Sequence, residues 1–206
     1  MLHNEAEFYH SIRRSKLFGP VFDAKEFEGV REIIKDCTSA CWPIAYTAYA
    51  LATAYHETAH TMQPIKEYGG TAYYMRKYDI TGDNPSRARK YGNTTRGDGA
   101  KYAGRGYVQL TWKVNYAKAS TMLGIDLVNY PDRAIDPDIA SDIMIGGMEQ
   151  GWFTGKALRH YLPSRGYANR AQFKKARYVI NGTDKADLIA DYALRFQEAL
   201  IEGNWQ

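Results

Sequence analysis

No charged residue occurs between Ile44 and Tyr55, in the stretch IAYTAYALATAY. Apolar and small side chains occupy every side of the helical wheel in this stretch, which is typical of a helix that is buried on most sides. Pro43 suits the first turn of such a helix, and Pro64 predicts its end near Gln63. The segment therefore predicts a central buried helix.

Helical periodicity recurs on both sides of this segment, and we predict further helices over residues 4–16, 25–35 (capped by Asp23), 114–123, from Pro137 onward, 169–180, and after the break at Asn181-Gly182. Glycines are frequent between residues 68 and 100, which predicts a long irregular segment with room only for short strands. The pattern as a whole predicts a mostly α protein of the α+β class, with a small β element between helices.

The small β element is predicted over Tyr107–Trp112, where apolar and polar residues alternate. Val108, Leu110 and Trp112 then form the core face of the strand. The other face presents Tyr107, Gln109 and Thr111 together, in a position to line a cleft.

Composition narrows the possible classes of protein. A length of 206 residues fits one domain, no apolar run could span a membrane, and the first 16 residues lack the apolar stretch of a secretory signal. The only two cysteines, Cys37 and Cys41, are expected to be reduced and packed. A net charge of +4 with 17 tyrosines and 4 tryptophans suits a polyanionic or sugar-rich target, although nothing resembles an aromatic platform for nucleic acid.

Two carboxylates are the candidate acid/base residues. Glu57 lies at the end of the predicted apolar helix, where a charge is costly unless it is partnered or protonated, and Glu67 follows Pro64 in a more polar setting. Unlike environments for two carboxylates are typical of acid/base catalysis. The simplest structural alternatives are an ion pair of Glu57 with Arg105 or Arg195, and a solvated loop position for Glu67.

Two other patterns have alternative interpretations. His56-Glu57-Thr58-Ala59-His60 is an HExxH sequence, which in a zinc metalloprotease places two imidazoles on one helical face, but no third ligand follows it. We therefore expect both histidines to be structural and predict no metal and no cofactor. A basic run predicts a solvated helix face and consists of Arg170, Lys174, Lys175 and Arg177.

The motifs AYHETAH, PIKE, KYAGRGYVQLTWKVNY and VINGT together resemble glycoside hydrolase family 19, which contains chitinases and the related lysozyme-like endolysins of phages and prophages. The resemblance implies a lysozyme-like, two-lobed fold with a central cleft. It also implies that Glu57 is the general acid and Glu67 the general base of an inverting hydrolysis, with about 6.5–9.5 Å between the two carboxyl groups.

The same resemblance implies roles for residues in the later motifs. Gln109 binds sugar and Thr111 holds the attacking water, while Asn115 and Asn181 are further substrate-binding positions. We expect Tyr107 to bind sugar beside Gln109, and Arg105 and Arg195 to belong to a supporting charge network. The sequence departs from the family at Ala103, which replaces a tyrosine, and at Lys185, where plant enzymes carry an acid. The small Ala103 suggests space in the cleft for the lactyl groups of peptidoglycan.

The resemblance leads us to expect a bacteriolytic enzyme that cleaves peptidoglycan, with residues 1–206 as a single catalytic domain, no separate wall-binding module and a monomeric state. The lack of a signal indicates synthesis in a bacterial cytoplasm and action on the wall after release at lysis. Three alternatives remain open: a chitinase, a lytic transglycosylase with a single acid, and a non-catalytic wall-binding module.

Overall fold

The computed structural model describes all 206 residues and is mostly helical, which confirms the predicted fold class. Backbone pairing of the β type is limited to isolated bridges, Leu2 with Trp205, Lys66 with Arg105, and Arg105 with Leu110. The α-helices are α1 Glu5–Ser15, α2 Ala24–Ser39, α3 Ile44–Glu57, α4 Thr71–Tyr78, α5 Pro85–Lys90, α6 Asp98–Lys101, α7 Lys113–Leu123, α8 Pro137–Gln150, α9 Arg170–Ala176 and α10 Ala186–Glu202. Short 3₁₀-helices cover Pro131–Ile135, Leu158–His160 and Arg177–Val179.

The chain divides into two compact units. The first unit combines Met1–Gln63 with Met144–Gln206, and the second is the continuous segment Pro64–Ile143. No helix in either unit has the length and apolar character needed to cross a membrane. The assignment of residues 1–206 as one catalytic domain, and the central cleft, stay predictions.

The core of the first unit is organised around α3. All residues from Ile44 to Tyr55 are buried, as the uncharged pattern predicts. The last helix, α10, packs against α3 and also against α1 and α9. Burial of apolar surface between these helices is the main stabilising contribution that the pattern indicates.

The predicted end of α3 near Gln63 is wrong, because the helix ends at Glu57. The hydroxyl of Thr58 donates to the carbonyl of Ala54 (2.7 Å) and accepts from the backbone N–H of Met62 (3.0 Å). A threonine side chain that takes up backbone groups in this way competes with the next helical turn. Ala59, His60 and Met62 then adopt left-handed φ angles of 51°, 72° and 56°.

This turn packs tightly against Gly29 of α2, which leads to a stability prediction. A Cβ atom at Gly29 would lie 2.0 Å from the carbonyl oxygen of Met62. We expect Gly29→Ala to lower the free energy of unfolding by about 1–3 kcal/mol, as overpacking does, measured by denaturant titration. In an open helix the same change stabilises by about 1 kcal/mol, so an unchanged or raised stability would contradict this contact. Gly70→Ala, where a Cβ meets nothing within 4 Å, is the control.

The segment predicted to be irregular, residues 68–100, contains α4, α5 and α6 and no strand. Helices of four to eight residues are too short to show a clear period. Helix α5 begins with recognisable start signals: Pro85 lies in its first turn, and the Asn84 side chain accepts a hydrogen bond from the backbone N–H of Arg87 (2.9 Å). A small apolar core forms beneath these helices from Tyr74, Tyr78, Ala88, Ala103 and Trp112.

The predicted strand over Tyr107–Trp112 is also wrong. Arg105 and Leu110 exchange two backbone hydrogen bonds (3.2 and 2.8 Å) around a tight turn, in which Gly106 and Gln109 have φ angles of 79° and 51°. The turn buries Tyr107 to 2% exposure, so the predicted sugar-binding role of Tyr107 has no support from its position. Positive φ angles at both ends of the turn prevent the two-residue alternation of a strand.

One further prediction is corrected, that for the two cysteines, and two local features complete the fold. Cys37 is buried as expected but Cys41 is exposed, and both are free thiols. Helix α10 begins after Lys185 in a left-handed conformation, and neither Thr183 nor Asp184 caps it. The close neighbours of Gly146 and Gly147 are aromatic rings, those of Trp152 and Phe153.

Candidate active site

Glu57 is the last residue of α3, and its carboxylate forms an ion pair inside the first unit. Its Oε1 atom lies 2.8 Å from Nη2 of Arg177, and the Arg177 side chain is only 1% exposed against 17% for Glu57. The partner predicted for Glu57, Arg105 or Arg195, is therefore corrected to Arg177. Arg195 is exposed, and its Nη1 donates to the carbonyl of Ser15 at 3.4 Å.

Arg177 was predicted to lie on a solvated helix face together with Arg170, Lys174 and Lys175. That prediction holds for the other three, which are exposed, and fails for Arg177. α9 ends at Ala176 and a 3₁₀ turn begins at Arg177, which is buried within that turn. The guanidinium is held there because its Nε donates to the carbonyl of Asp184 (2.8 Å).

A polar cluster lies along the face of α3 that leads to Glu57. Tyr49 and Thr53 precede Glu57 by eight and four residues, so all three share one helical face. The hydroxyls of Tyr49 and Thr53 and the Nη1 of Arg177 are buried without a hydrogen-bond partner. Burial raises the pKa of Tyr49 to about 12, although the neighbouring Arg177 opposes this. Arg177 thus has one buried donor without a hydrogen-bond partner as well as its bond to Glu57.

The HExxH sequence does not form a metal site. Because α3 ends at Glu57, His60 lies off the helix and stacks on the ring of Tyr55, with centroids 4.1 Å apart. Burial lowers the pKa of both His56 and His60. No group of three or more His, Cys, Asp or Glu side chains is placed to hold a metal ion. The geometry contradicts the zinc protease alternative, which needs both imidazoles on one helical face.

Glu67, in the second unit, has a carboxylate surrounded by donors, so the solvated-loop alternative is wrong. Its Oε1 accepts from the hydroxyls of Tyr73 (3.2 Å) and Tyr78 (2.9 Å) and from Nζ of Lys77 (2.9 Å). The side chain is 18% exposed. Its Oε2 has only one long contact, from the backbone N–H of Gly104 (3.4 Å). One oxygen is thus fully occupied and the other is free to accept a proton.

The cation beside Glu67 stays charged. Burial alone would lower the pKa of Lys77, but its hydrogen bonds to Tyr73 and Glu67 outweigh this and raise the pKa. Burial is also the main reason that the pKa of Tyr78 is raised. Charged lysine and neutral tyrosines are donors, which is the environment that an ionised carboxylate requires.

Gly104 brings the predicted base together with the predicted water-binding residues. Its carbonyl accepts from the backbone N–H of Glu67 (2.8 Å). A Cβ atom at Gly104 would lie 2.7 Å from Oε1 of Gln109 and 3.3 Å from Oγ1 of Thr111, so glycine leaves this space open. Asn115 contacts the same group, because its Nδ2 donates to the carbonyl of Thr111 (2.8 Å). Four predicted residues therefore meet at one place in the second unit.

Arg105, in the same unit, is buried and stabilises the local backbone. Its guanidinium is 2% exposed, pairs with Asp132 (2.7 Å) and donates to the carbonyls of Lys101 and Ala103 and to the hydroxyl of Tyr116. Arg105 therefore holds the turn that carries Gly104, a role that the sequence did not indicate. Asn181 lies in the first unit and is exposed, and its backbone N–H donates to the carbonyl of Arg177 (3.0 Å).

Comparison with known proteins agrees with the motifs. The family model for glycoside hydrolase family 19, described as chitinase class I, matches residues 25–157. "Inactive chitinase-like protein 1" of Hevea brasiliensis is 42% identical over 55 residues, which are 27% of this chain and 16% of that protein. "Chitinase 3" of Oryza sativa subsp. japonica is 30% identical over 103 residues, 50% of this chain and 31% of that protein. The matches thus span less than a third of these relatives' own length.

The fold is also found in a solved structure. Chitinase C from Streptomyces griseus HUT6037 superposes with a TM-score of 0.57 at 21% identity, and the alignment covers 97% of this chain and 76% of that one. At this identity the likeness shows the fold alone, and it covers nearly the whole chain.

Proposed function

Because the chain belongs to glycoside hydrolase family 19, we propose that it hydrolyses β-1,4 linkages between N-acetylated aminosugars with Glu57 as general acid and Glu67 as general base. The observation that carries the proposal is the environment of Glu67. Three donors occupy its Oε1, and its Oε2 faces Gly104, beside Thr111 and Gln109.

The base and its water act in the second unit. The Thr111 hydroxyl is oriented because it donates to the carbonyl of Gln109 (2.8 Å), which leaves its oxygen free to accept a hydrogen bond from water. A water held there gives its proton to Oε2 of Glu67 while its oxygen attacks the anomeric carbon. The Gln109 amide donates to the carbonyls of Ile65 (3.1 Å) and Gly106 (3.0 Å), so its Oε1 is free for a sugar hydroxyl.

Glu57 supplies the proton at the leaving group. As the glycosidic C–O bond breaks, the proton of Glu57 passes to the departing oxygen, and the carboxylate that forms is neutralised by Arg177. The reaction consumes one water and leaves the two residues in exchanged protonation states, which proton exchange with solvent restores. Attack from the face opposite the leaving group inverts the anomeric configuration. The separation of the two carboxyl groups, which belong to different units, stays a prediction.

For the substrate we propose peptidoglycan, with chitin as the second candidate. The two polymers share the linkage, and the chitinase alternative fits the comparisons equally well. A net charge of +4 favours the anionic polymer, because it raises the protein's concentration at a negatively charged wall. Ala103 no longer supports this choice, since it is 0% exposed inside the small apolar core and lines no open surface.

We also propose that the protein is made in a bacterial cytoplasm and released at lysis, as a phage endolysin is.

Mass spectrometry of fragments released from purified peptidoglycan tests the proposal. We expect reducing N-acetylmuramic acid ends, and NMR of a freshly cut soluble oligosaccharide should show the inverted anomer. Anhydro ends would instead identify a lytic transglycosylase. Hydrolysis of chitin oligomers without any release from walls would identify a chitinase, and binding without turnover of either polymer would identify a non-catalytic module.

A further inference from the structure

Four neighbouring cations in the second unit, which we call the basic segment, lack any acidic partner. The basic segment consists of Arg87, Arg89, Lys90 and Arg96, with no acid between Asp83 and Asp98. All four side chains are exposed, and none of them forms an ion pair. The flanking acids are engaged elsewhere, Asp83 with Arg76 (3.9 Å) and Asp98 with Lys113 (3.4 Å). The positive charge of the segment is therefore uncompensated.

An acid-free sequence does not by itself produce such a surface. Residues 150–183 also contain no acid. There, however, Arg170 and Lys174 pair with Asp187 of α10 (2.9 and 2.7 Å), and Arg177 pairs with Glu57. Lys156 and Lys175 of that stretch stay unpaired, but three of its cations are neutralised, whereas none of the four cations of the basic segment has a carboxylate partner.

A continuous row of side chains links the basic segment to the candidate base. The Tyr78 hydroxyl donates to Glu67, and the Tyr78 ring contacts the Trp112 ring edge-on (5.1 Å). Trp112 also stacks with Tyr91 (5.1 Å between ring centroids), and its ring centroid lies 5.4 Å from the guanidinium carbon of Arg87. Arg87 is thus two aromatic rings away from Glu67, and Lys90, whose Nζ lies 5.5 Å from the centre of the Tyr91 ring, is one ring further away.

We propose that the basic segment binds the carboxylates of peptidoglycan stem peptides and thereby selects an anionic glycan over neutral chitin. The inference rests on the proposed function. Guanidinium groups pair with carboxylates in a bidentate geometry. Single exposed pairs contribute only up to about 1 kcal/mol, but several close together act additively on binding and lose strength in salt. A neutral polymer has no group that could use them.

The experiment is co-sedimentation of the whole protein with insoluble polymers. The test variant is Arg89→Gln/Lys90→Gln/Arg96→Gln, which retains Arg87 because that side chain packs on Trp112. The polymers are purified peptidoglycan, the same material with its carboxylates converted to neutral methylamides by carbodiimide and methylamine, and chitin. We expect the variant to bind native peptidoglycan about tenfold more weakly, as three exposed pairs allow, and to equal the wild type on the other two.

A matched control separates the position of the charges from their number. Arg13→Gln/Lys156→Gln/Lys175→Gln removes three exposed, unpaired cations from the first unit and should leave binding to peptidoglycan nearly unchanged. Equal losses in both triple variants, no loss in the test variant, or a loss that persists on the methylamide polymer would each overturn the inference. Binding needs no turnover, so a protein that binds as expected but cuts nothing would refute only the proposed function. A protein that cuts peptidoglycan but shows no effect of the test variant would refute only this inference.

Discussion

Glu57→Gln should lower the turnover of purified peptidoglycan at least about a thousandfold, as expected when a general acid is lost. Glutamine has the shape of the glutamic acid side chain, but its amide protons are not acidic enough to be transferred to the leaving oxygen. Turnover measured on a soluble aminosugar oligomer should fall by a similar factor, because both substrates need the same protonation.

Glu57 also neutralises a buried arginine, so a structural effect of its substitution must be separated from a chemical one. Glu57→Asp keeps the charge beside Arg177 but withdraws the carboxyl group by one methylene. We expect it to keep most of the wild-type melting temperature and to lose most of the activity. Glu32→Gln, which removes a surface carboxylate paired with Arg31 and Lys35, is the control and should change neither. A folded Glu57→Gln protein with wild-type turnover would falsify the assignment of the acid.

Glu67→Gln should lower turnover nearly as strongly, by about a hundredfold to ten-thousandfold. The amide cannot take a proton from water. With its carbonyl oxygen on the lysine and the two tyrosines, its NH₂ group replaces the oxygen that faces Gly104. The rate is measured on the same two substrates, with Asp83→Asn as the control, since Asp83 is an exposed carboxylate of the same unit.

A second variant distinguishes a base from a structural carboxylate at position 67. Azide is a nucleophile that needs no deprotonation. In Glu67→Ala, added azide should therefore restore part of the rate and yield a glycosyl azide, while in Glu57→Gln it should not. Wild-type turnover by Glu67→Gln would exclude Glu67 as the base.

The parts that could be predicted from the sequence are those fixed by neighbouring residues. The burial of α3 follows from an uncharged stretch, and the cap of α2 from Asp23 and Glu26, which form a reciprocal capping box. Glu67, Gln109, Thr111 and Asn115 were placed by short motifs, and the structure brings them together. In these cases the determining information lies within a few residues.

The predictions that failed concern features that are set by contacts between distant segments or by backbone angles. Whether Arg177 is exposed or buried is decided by where α9 tightens into a 3₁₀ turn and by a carboxylate 120 positions earlier. The alternation over Tyr107–Trp112 was interpreted as a strand because periodicity contains no information on backbone angles, and left-handed angles at Gly106 and Gln109 close the turn instead. Similarly, only the structure shows which basic residues are neutralised by other elements.

The two oxygens of Glu67 have unequal surroundings, which lowers the reorganisation that proton uptake requires. With Oε1 occupied by two hydroxyls and an ammonium group, the donors need not rearrange when the proton arrives, because it enters at the other oxygen. A base that is already solvated by fixed donors pays little reorganisation energy during the reaction. In the proposed role, the two tyrosines and the lysine solvate Oε1 of Glu67 throughout the reaction, and only Oε2 exchanges a proton.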